Sequence, residues 1–189
     1  PKLRAAAGGL SPWFLRVGGS QADEVLYRFP RIQSPSDGGA TNATATAIAE
    51  EEEEDAAIGA ECERRGQKCL TSERWDEVLD FASTSGARVV FTLAYVRHTR
   101  VDETKNDHDH NDAHDWDPSN ARRLLEYTAN SRHSVLGTVY GFELGNELRH
   151  KGKVTDVPRM VRAYGELRRM VDEVWPRDGR EGRPRPRLL

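Results

Sequence analysis

Two repeating patterns of apolar and polar positions divide the chain into strand-like and helix-like segments. Short runs of β-branched, aliphatic and aromatic residues indicate buried strands, whereas longer segments with an apolar residue every three to four positions indicate helices. The predicted strands are Trp13–Val17, residues 88–94 and residues 135–142. The predicted helices are residues 70–85, 118–130 and 156–175. Strands and helices therefore alternate along the chain.

The first predicted helix shows this pattern most clearly. Ser72 is suited to cap its N-terminus, and Gly86 is suited to end it. Apolar residues at positions i, i+3, i+4 and i+7 form a single stripe along it. These residues are Trp75, Val78, Leu79 and Ala82. A short link then leads to the apolar strand at 88–94, and this succession of helix, link and buried strand is typical of a parallel α/β sheet.

Residues 34–62 have a different composition. They are rich in Ser, Gly, Ala and Thr, and they include six consecutive acidic residues at 50–55. Such a segment repels itself and offers little apolar surface to bury, so we predict a disordered acidic insertion, with an acidic interaction loop as the alternative. Its Asn42-Ala43-Thr44 sequence is a glycosylation sequon.

The remaining boundaries follow from this insertion. The predicted organisation is a strand and loop over residues 1–33, the insertion over 34–62, and β/α units over 63–176. Residues 177–189 alternate Arg with Gly and Pro and are predicted to be a linker or the start of the next strand.

Composition excludes several classes of protein. The chain has 189 residues, of which 37% are hydrophobic and 31% charged, and a formal net charge of −3. Near-neutral charge argues against a nucleic-acid partner, and no apolar run approaches the roughly 18 residues of a membrane span. The chain begins at Pro1 without a leader-like segment, which leaves the question of secretion open. Oligomeric state is not indicated.

Cysteine and histidine residues raise the question of a metal site. Cys62 and Cys69 could pair across a short loop, remain as thiols, or form half of a metal site. His108, His110 and His114 lie among aspartates, and imidazole and carboxylate are ligands for divalent ions. Their spacing fits no closed set of four ligands, so we favour a solvated polar loop and predict no metal.

The strand ends are the places where chemistry is expected, because ligands of parallel α/β folds bind at the carboxyl ends of the strands. Three segments occupy such ends: Gly18-Gly19-Ser20, Ala94-Tyr95 and Gly145-Asn146-Glu147. In the third, partial desolvation of the Glu147 carboxyl would suit it to donate a proton, and Asn146 offers an amide to a ligand hydroxyl. A solvated or capping role for Glu147 is the alternative at this point.

Glu143 is the second carboxylate of this segment. In an extended chain residues 143, 145 and 147 share a face. A Glu that lies inside the fold needs a charged or hydrogen-bonding partner, and Arg16 on the first predicted strand is the partner we expect.

Several motifs together resemble glycoside hydrolase family 79, the heparanases and heparanase-like proteins. The motifs are LRVGGSQ at 15–21, CL at 69–70 with RWDE at 74–77, Trp116 with SNA at 119–121, and FELGNEL at 142–148. They occur in the same order as in that family, and the resemblance leaves out only 34–61 and much of the loop at 97–115.

The resemblance implies a fold, an activity and site residues. The fold is a (β/α)8 TIM barrel, here partial, with about three of eight strands and without the first strand and the C-terminal half. The activity is retaining hydrolysis of β-glucuronosyl bonds in glycans or glucuronides, without a cofactor. By the same resemblance Glu147 is the proton donor, and Asn146 and Ser20 contact the sugar. The family also implies the secretory route (extracellular, lysosomal or vacuolar).

Two features set limits to this expectation. Family members usually have Asn where this chain has Ala94, so one amide contact is lost. A retaining glycosidase also needs a second carboxylate as nucleophile, about 5–5.5 Å from the acid. In the family it lies on a later strand, beyond Leu189, so we expect the 189-residue chain alone to be inactive and poorly stable. A non-catalytic glycan-binding or degenerate homologue is the alternative.

Overall fold

A computed structural model describes residues 2–30, 56, 58–60, 62–64, 68–95, 116–147, 157–175 and 184–189. The helices are α1 (Lys2–Gly8), α2 (Ser72–Thr84), α3 (Ser119–Asn130), α4 (Arg132–Leu136) and α5 (Val157–Val174). The strands are β1 (Trp13–Val17), β2 (Leu26–Arg28), β3 (Cys69–Thr71), β4 (Ala87–Leu93), β5 (Val139–Leu144) and β6 (Arg187–Leu188). A single 3-10 turn, Ala22–Glu24, lies between β1 and β2.

Four strands form a parallel sheet in the order β1-β4-β5-β6. The short strands β2 and β3 form a separate parallel pair. A mixed α/β fold with a parallel sheet was predicted, and the structure confirms it at that level. Since all four strands of the larger sheet run the same way, their carboxyl ends lie along one edge, where the three candidate segments follow β1, β4 and β5.

The hydrophobic core lies between one face of this sheet and the helices. Its largest fully buried side chains include Trp75 and Leu79 of α2, Leu124 and Leu125 of α3, and Phe142 of β5. The indole Nε1 of Trp75 donates to Thr128 Oγ1 at 3.0 Å, so the one polar atom of this ring is satisfied inside the core. The stripe predicted for α2 therefore faces the sheet.

The opposite face of the sheet is partly exposed at strand β1. Strand β1 was expected to be buried, but its residues alternate between half-buried and exposed, and Phe14 is 58% exposed. Successive side chains of a strand point to opposite faces, and only one face of the sheet packs against the helices of the described chain. The prediction of a buried β1 was therefore wrong for Phe14 and Arg16.

Element boundaries differ from the sequence prediction, most clearly before β5 and at the start of α2, where residues 70 and 71 belong to strand β3 rather than to the helix. Residues 135 and 136 were assigned to a strand, but they end helix α4, and β5 begins only at Val139. Gly137 ends that helix in the left-handed conformation at φ 62°, where a side chain would be strained. Helix α2 is capped by Thr71, whose side chain accepts from the Arg74 N–H, rather than by Ser72.

The two cysteines form a disulfide, which decides between the alternatives left open. Cys62 and Cys69 are bonded, with their Cα atoms 5.2 Å apart. Most of the insertion expected at 34–62, with Asn42, lies outside the described residues; those of its residues that are described, 56, 58–60 and 62, are helical. The histidines at 108, 110 and 114 also lie outside. In the described part of the chain no helix is long and apolar enough to cross a membrane.

Candidate active site at the carboxyl edge of the sheet

The loop after β1 approaches β4 closely because of a glycine. A Cβ at Gly18 would overlap the side chain of Thr92, so only glycine allows this contact without movement. The next residue, Gly19, has φ 106°, a conformation that side chains disfavour. Ser20 follows and is exposed on this edge of the molecule.

Behind this loop an ion pair joins β1 to β5 across β4. Arg16 Nη2 lies 2.7 Å from Glu143 Oε2, and Arg16 Nε donates to the same oxygen at 2.9 Å. The Thr92 hydroxyl of the intervening strand donates to Glu143 Oε2 at 2.8 Å. The structure thus confirms the expected pairing of Glu143 with Arg16 and adds Thr92 as a second partner.

These contacts determine the ionisation state of the Glu143 carboxyl group. The hydrogen bond from Arg16 lowers the pKa of the Glu143 carboxyl, burial opposes this, and the Thr92 hydroxyl and the Arg16 charge lower the pKa further. The same bond raises the pKa of Arg16. Glu143 is therefore an ionised carboxylate with committed neighbours, and it is unsuited to deliver a proton at neutral pH.

The chain turns sharply after β5. Gly145, at φ 72°, donates its N–H to the Leu93 carbonyl at 2.8 Å, and Glu147 has φ 50°. Glu147 is the only non-glycine residue of the described chain with a positive φ, a conformation that costs about 1–2 kcal/mol. Since the strand ends at Leu144, residues 143, 145 and 147 do not continue one extended face as expected.

Asn146, in the middle of the turn, is only 7% exposed. Its backbone N–H donates to Asp23 Oδ1 at 3.1 Å. Its side-chain Oδ1 lies 3.5 Å from Arg16 Nη2, at the outer limit of a hydrogen bond. Asn146 is therefore tied to the strand β1 and to the loop that follows it.

Glu147 is the exposed carboxylate of the site. Its side chain is exposed at the strand end, and the partial desolvation expected from the sequence is not seen in the described chain. The contrast with Glu143 is chemical: Glu143 is held by Arg16 and Thr92, whereas Glu147 faces the solvent-accessible edge. The bond from Asn146 to Asp23 joins the turn that carries Asn146 and Glu147 to the segment after β1 that includes Ser20.

The end of β4 is closed. Ala94 is fully buried: its N–H donates to the Tyr27 hydroxyl at 2.7 Å, and its carbonyl accepts from Trp116 Nε1 at 3.1 Å. Burial raises the pKa of Tyr27 well above its usual range. Tyr95 is 3% exposed. Of the three candidate strand ends, Ala94-Tyr95 is thus structural, and the site lies at the ends of β1 and β5.

Sequence reasoning missed two residues of this site, Asp23 and Thr92. Thr92 is a buried residue within an apolar strand, and Asp23 lies in a short polar loop; neither pattern marks a site. In the described ranges no group of three or more His, Cys, Asp or Glu could hold a metal ion.

A parallel α/β fold with a glutamate and an amide at the carboxyl edge is an arrangement that suits a glycosidase. The sequence model of the glycosyl hydrolase family 79 N-terminal domain matches residues 1–188. The chain belongs to this family, which confirms the resemblance seen in its motifs.

Curated relatives agree with this assignment. Heparanase of Gallus gallus is 27% identical over 92% of this chain and 34% of its own length. Heparanase-like protein 2 of Arabidopsis thaliana is 28% identical over 88% of the chain and 26% of its own length. Baicalin-beta-D-glucuronidase of Scutellaria baicalensis is 27% identical over 77% and 25%. The chain thus spans about a quarter to a third of the length of the relatives it matches.

Proposed function

We propose that this chain is the N-terminal part of the catalytic (β/α)8 barrel of a retaining glycosidase that hydrolyses β-glucuronosyl bonds, with Glu147 as the proton donor. The observation that carries the proposal is the exposed Glu147 carboxylate at the carboxyl edge of a parallel sheet, in a chain that belongs to a glycosyl hydrolase family. The substrate class is supported by relatives named heparanase and glucuronidase.

In the proposed reaction, protonated Glu147 gives its proton to the glycosidic oxygen while a second carboxylate attacks the anomeric carbon and the leaving group departs. Water then loses a proton to Glu147 and attacks the anomeric carbon, which frees the sugar and restores both carboxyl groups. No cofactor takes part. Contacts to the sugar hydroxyls are assigned to Asn146 and Ser20.

The second carboxylate is assigned to a later strand of a longer protein. Glu143 is unsuited to be the nucleophile, because Arg16 and Thr92 already bind its carboxylate oxygens. Further barrel strands would also cover the open face of the sheet and desolvate Glu147, as a proton donor requires. For this reason we expect the 189-residue chain alone to be inactive.

The disulfide supports the proposed location. A bond between Cys62 and Cys69 is expected in an oxidising compartment and is rare in the cytosol. It fits passage through the secretory route to the cell exterior, a lysosome or a vacuole, where glucuronic-acid-containing glycans or glucuronides would be met.

The test compares two aryl β-glucuronides, one with a poor and one with an activated leaving group, in the full-length protein that contains this domain. Glu147→Gln should lower kcat/KM by about 10²–10⁴-fold for the poor leaving group, because that group must be protonated to depart. It should change kcat/KM much less for the activated group, which departs without a proton. Glu77→Gln, an exposed glutamate on α2, is the matched control.

Three results would each contradict a part of the proposal. Near-normal turnover of the poor leaving group by Glu147→Gln would remove this residue from the acid role. Turnover by the 189-residue chain that Glu147→Gln abolishes would show that no later strand is needed. A full-length protein that binds a glucuronide without cleaving it would instead favour a non-catalytic glycan-binding homologue.

A further inference from the structure

Asp23 is a buried carboxylate close to the candidate proton donor. It lies in the 3-10 turn after β1 and is only 2% exposed. Its Oδ1 accepts the backbone N–H of Asn146 at 3.1 Å, across 123 positions of sequence. Burying a carboxylate is costly unless it is well hydrogen-bonded, and hydrogen bonds to charged groups are the strong ones. The contact is therefore a firm link between the β1 loop and the turn after β5.

The turn at residues 145–147, which Asp23 contacts, has an unusual backbone conformation that must be held in place. Gly145 and Glu147 both have positive φ values, and Asn146 lies between them. A non-glycine residue keeps this conformation only where its surroundings impose it. The observed anchors are the Gly145 bond to the Leu93 carbonyl, the Asn146 bond to Asp23, and the distant contact of Asn146 with Arg16.

We infer that Asp23 is a positioning residue for this site: by fixing the Asn146 peptide, it sets the direction in which the Glu147 carboxyl and the Asn146 amide leave the turn. The inference rests on the proposed function, since it concerns the geometry of the same acid. Asp23 neither transfers a proton nor contacts the sugar. Its role is to keep Glu147 aligned with the glycosidic oxygen.

Loss of alignment has a distinctive kinetic consequence. A misdirected acid slows the departure of leaving groups that need a proton, whereas an activated leaving group departs without one. In the full-length protein Asp23→Ala should thus lower kcat/KM for the poor aryl leaving group by about tenfold to a hundredfold, the range for a small misplacement. The activated aryl glucuronide should be affected much less. A purely structural loss would lower both equally.

Conservative and neighbouring variants complete the kinetic test. Asp23→Asn retains an oxygen that can accept the same N–H, and it should recover most of the lost rate. Glu24→Gln changes the adjacent acid, whose ion pair is with Lys68 rather than with the turn, and it should behave as the wild type. Recovery by Asp23→Asn together with a selective loss in Asp23→Ala supports the inference.

A second readout does not depend on activity. In the full-length protein, hydrogen exchange of the Asn146 amide should be faster in Asp23→Ala than in the wild type, while the Val89 amide in the middle of the sheet should exchange as before. Unchanged exchange at Asn146, or equal losses for both leaving groups, would overturn the inference.

The two proposals fail in different ways. If Glu147→Gln selectively loses the poor leaving group while Asp23→Ala does not, only the role of Asp23 is rejected. If Glu147→Gln keeps normal activity, the proposed function fails, and the inference built on it fails as well.

Discussion

The two faces of the four-stranded sheet hold different kinds of side chain. On the helix-covered face, Val89, Leu93, Phe142 and Leu144 are at most 2% exposed and pack into a continuous apolar core. On the other face lie Phe14, Tyr140 and polar groups, including the Arg16–Glu143 pair. The open face thus carries an apolar ring contact and an ion pair, whereas the other face of the sheet contributes mainly apolar side chains to the core.

The two faces therefore have different roles: the covered face stabilises the fold, and the open face carries the groups available for chemistry. Apolar burial stabilises the described domain chiefly from the helix side, at about 25 cal/mol for each Å² removed from water. The open face supplies charged groups that a ligand or a further part of the barrel can meet. Substitutions on the covered face should therefore mainly lower the free energy of unfolding. Substitutions on the open face should cost less stability and mainly change the charged groups of the site.

The largest effect on folding is expected from the covered face. Leu79 of α2 is fully buried, so Leu79→Ala should lower the free energy of unfolding by about 2–5 kcal/mol. Phe14 is 58% exposed and touches the Tyr140 ring at 4.7 Å between centroids, so Phe14→Ala should cost about 1 kcal/mol or less. Urea unfolding of the 189-residue chain tests both: because that chain is expected to be poorly stable, Leu79→Ala should leave it largely unfolded without urea, whereas Phe14→Ala should shift the midpoint only slightly.

Repeating the pair in the full-length protein sharpens the comparison. If further barrel strands cover the open face, Phe14→Ala becomes a core substitution there, and its cost should rise toward that of Leu79→Ala. A cost that stays small in the full-length protein would contradict the proposed barrel.

Local patterns explain what could be predicted of the covered face. The stripe from Trp75 to Ala82 identified α2, because the helical period is a property of neighbouring residues. The strand start at Val139 was missed, because the apolar residues Val135 and Leu136 look like a strand but form the exposed end of α4. The β2–β3 pair was missed as well, since each strand has only three residues.

The open face was predictable only where a residue required a partner. Glu143 in an apolar strand demanded a cation, and Arg16 was correctly expected from that need alone. Asp23 carried no such signal, because its contact with Asn146 depends on how two distant loops meet. The exposure of Glu147 likewise follows from a left-handed turn that the strand pattern does not show.

A smaller effect is expected from the ion pair of the open face. Arg16→Met removes the hydrogen bonds that lower the pKa of Glu143, so that pKa should rise, as followed by carboxyl carbon NMR. In the wild type, the stabilisation from Glu143 is present above its unfolded pKa of about 4.3 and is lost as the pH falls through its lower folded pKa. Because Arg16 is half exposed, the variant should lose about 1 kcal/mol or less at pH 7.

A matched arginine tests whether this effect is local. Arg169 pairs with Glu166 and Glu173 on the surface of α5, away from the site. Arg169→Met should leave the pKa of Glu143 unchanged. A Glu143 pKa that stays low in Arg16→Met would show that the Thr92 hydroxyl, rather than the guanidinium, stabilises the carboxylate.

A buried histidine on the helix side of the sheet should respond to pH in a different range from Glu143. His133 of α4 is 2% exposed, and its Nε2 lies 3.0 Å from Asp80 Oδ1. Its Nδ1 is buried without a hydrogen-bond partner among the described residues. Burial lowers the pKa of His133, Asp80 opposes this, and the neighbouring Arg132 adds to the lowering.

The sign of the effect follows from proton binding. Below the unfolded pKa of about 6.5, the unfolded chain takes up the His133 proton more readily than the folded chain, so stability falls as the pH drops from 6.5 toward the lower folded pKa. His133→Asn cannot be protonated, and it should remove this part of the pH dependence. Urea unfolding of the wild type and of His133→Asn between pH 5 and 8 gives the free energy of unfolding of each protein at each pH. The wild type should lose more stability than the variant below pH 6.5, whereas Glu143 acts only in the more acidic range. If the free energy of unfolding changes with pH in the same way in both proteins, the folded chain accommodates the charged form of His133 as well as the neutral form. The helix side of the sheet would then be less sensitive to charge than its apolar packing implies.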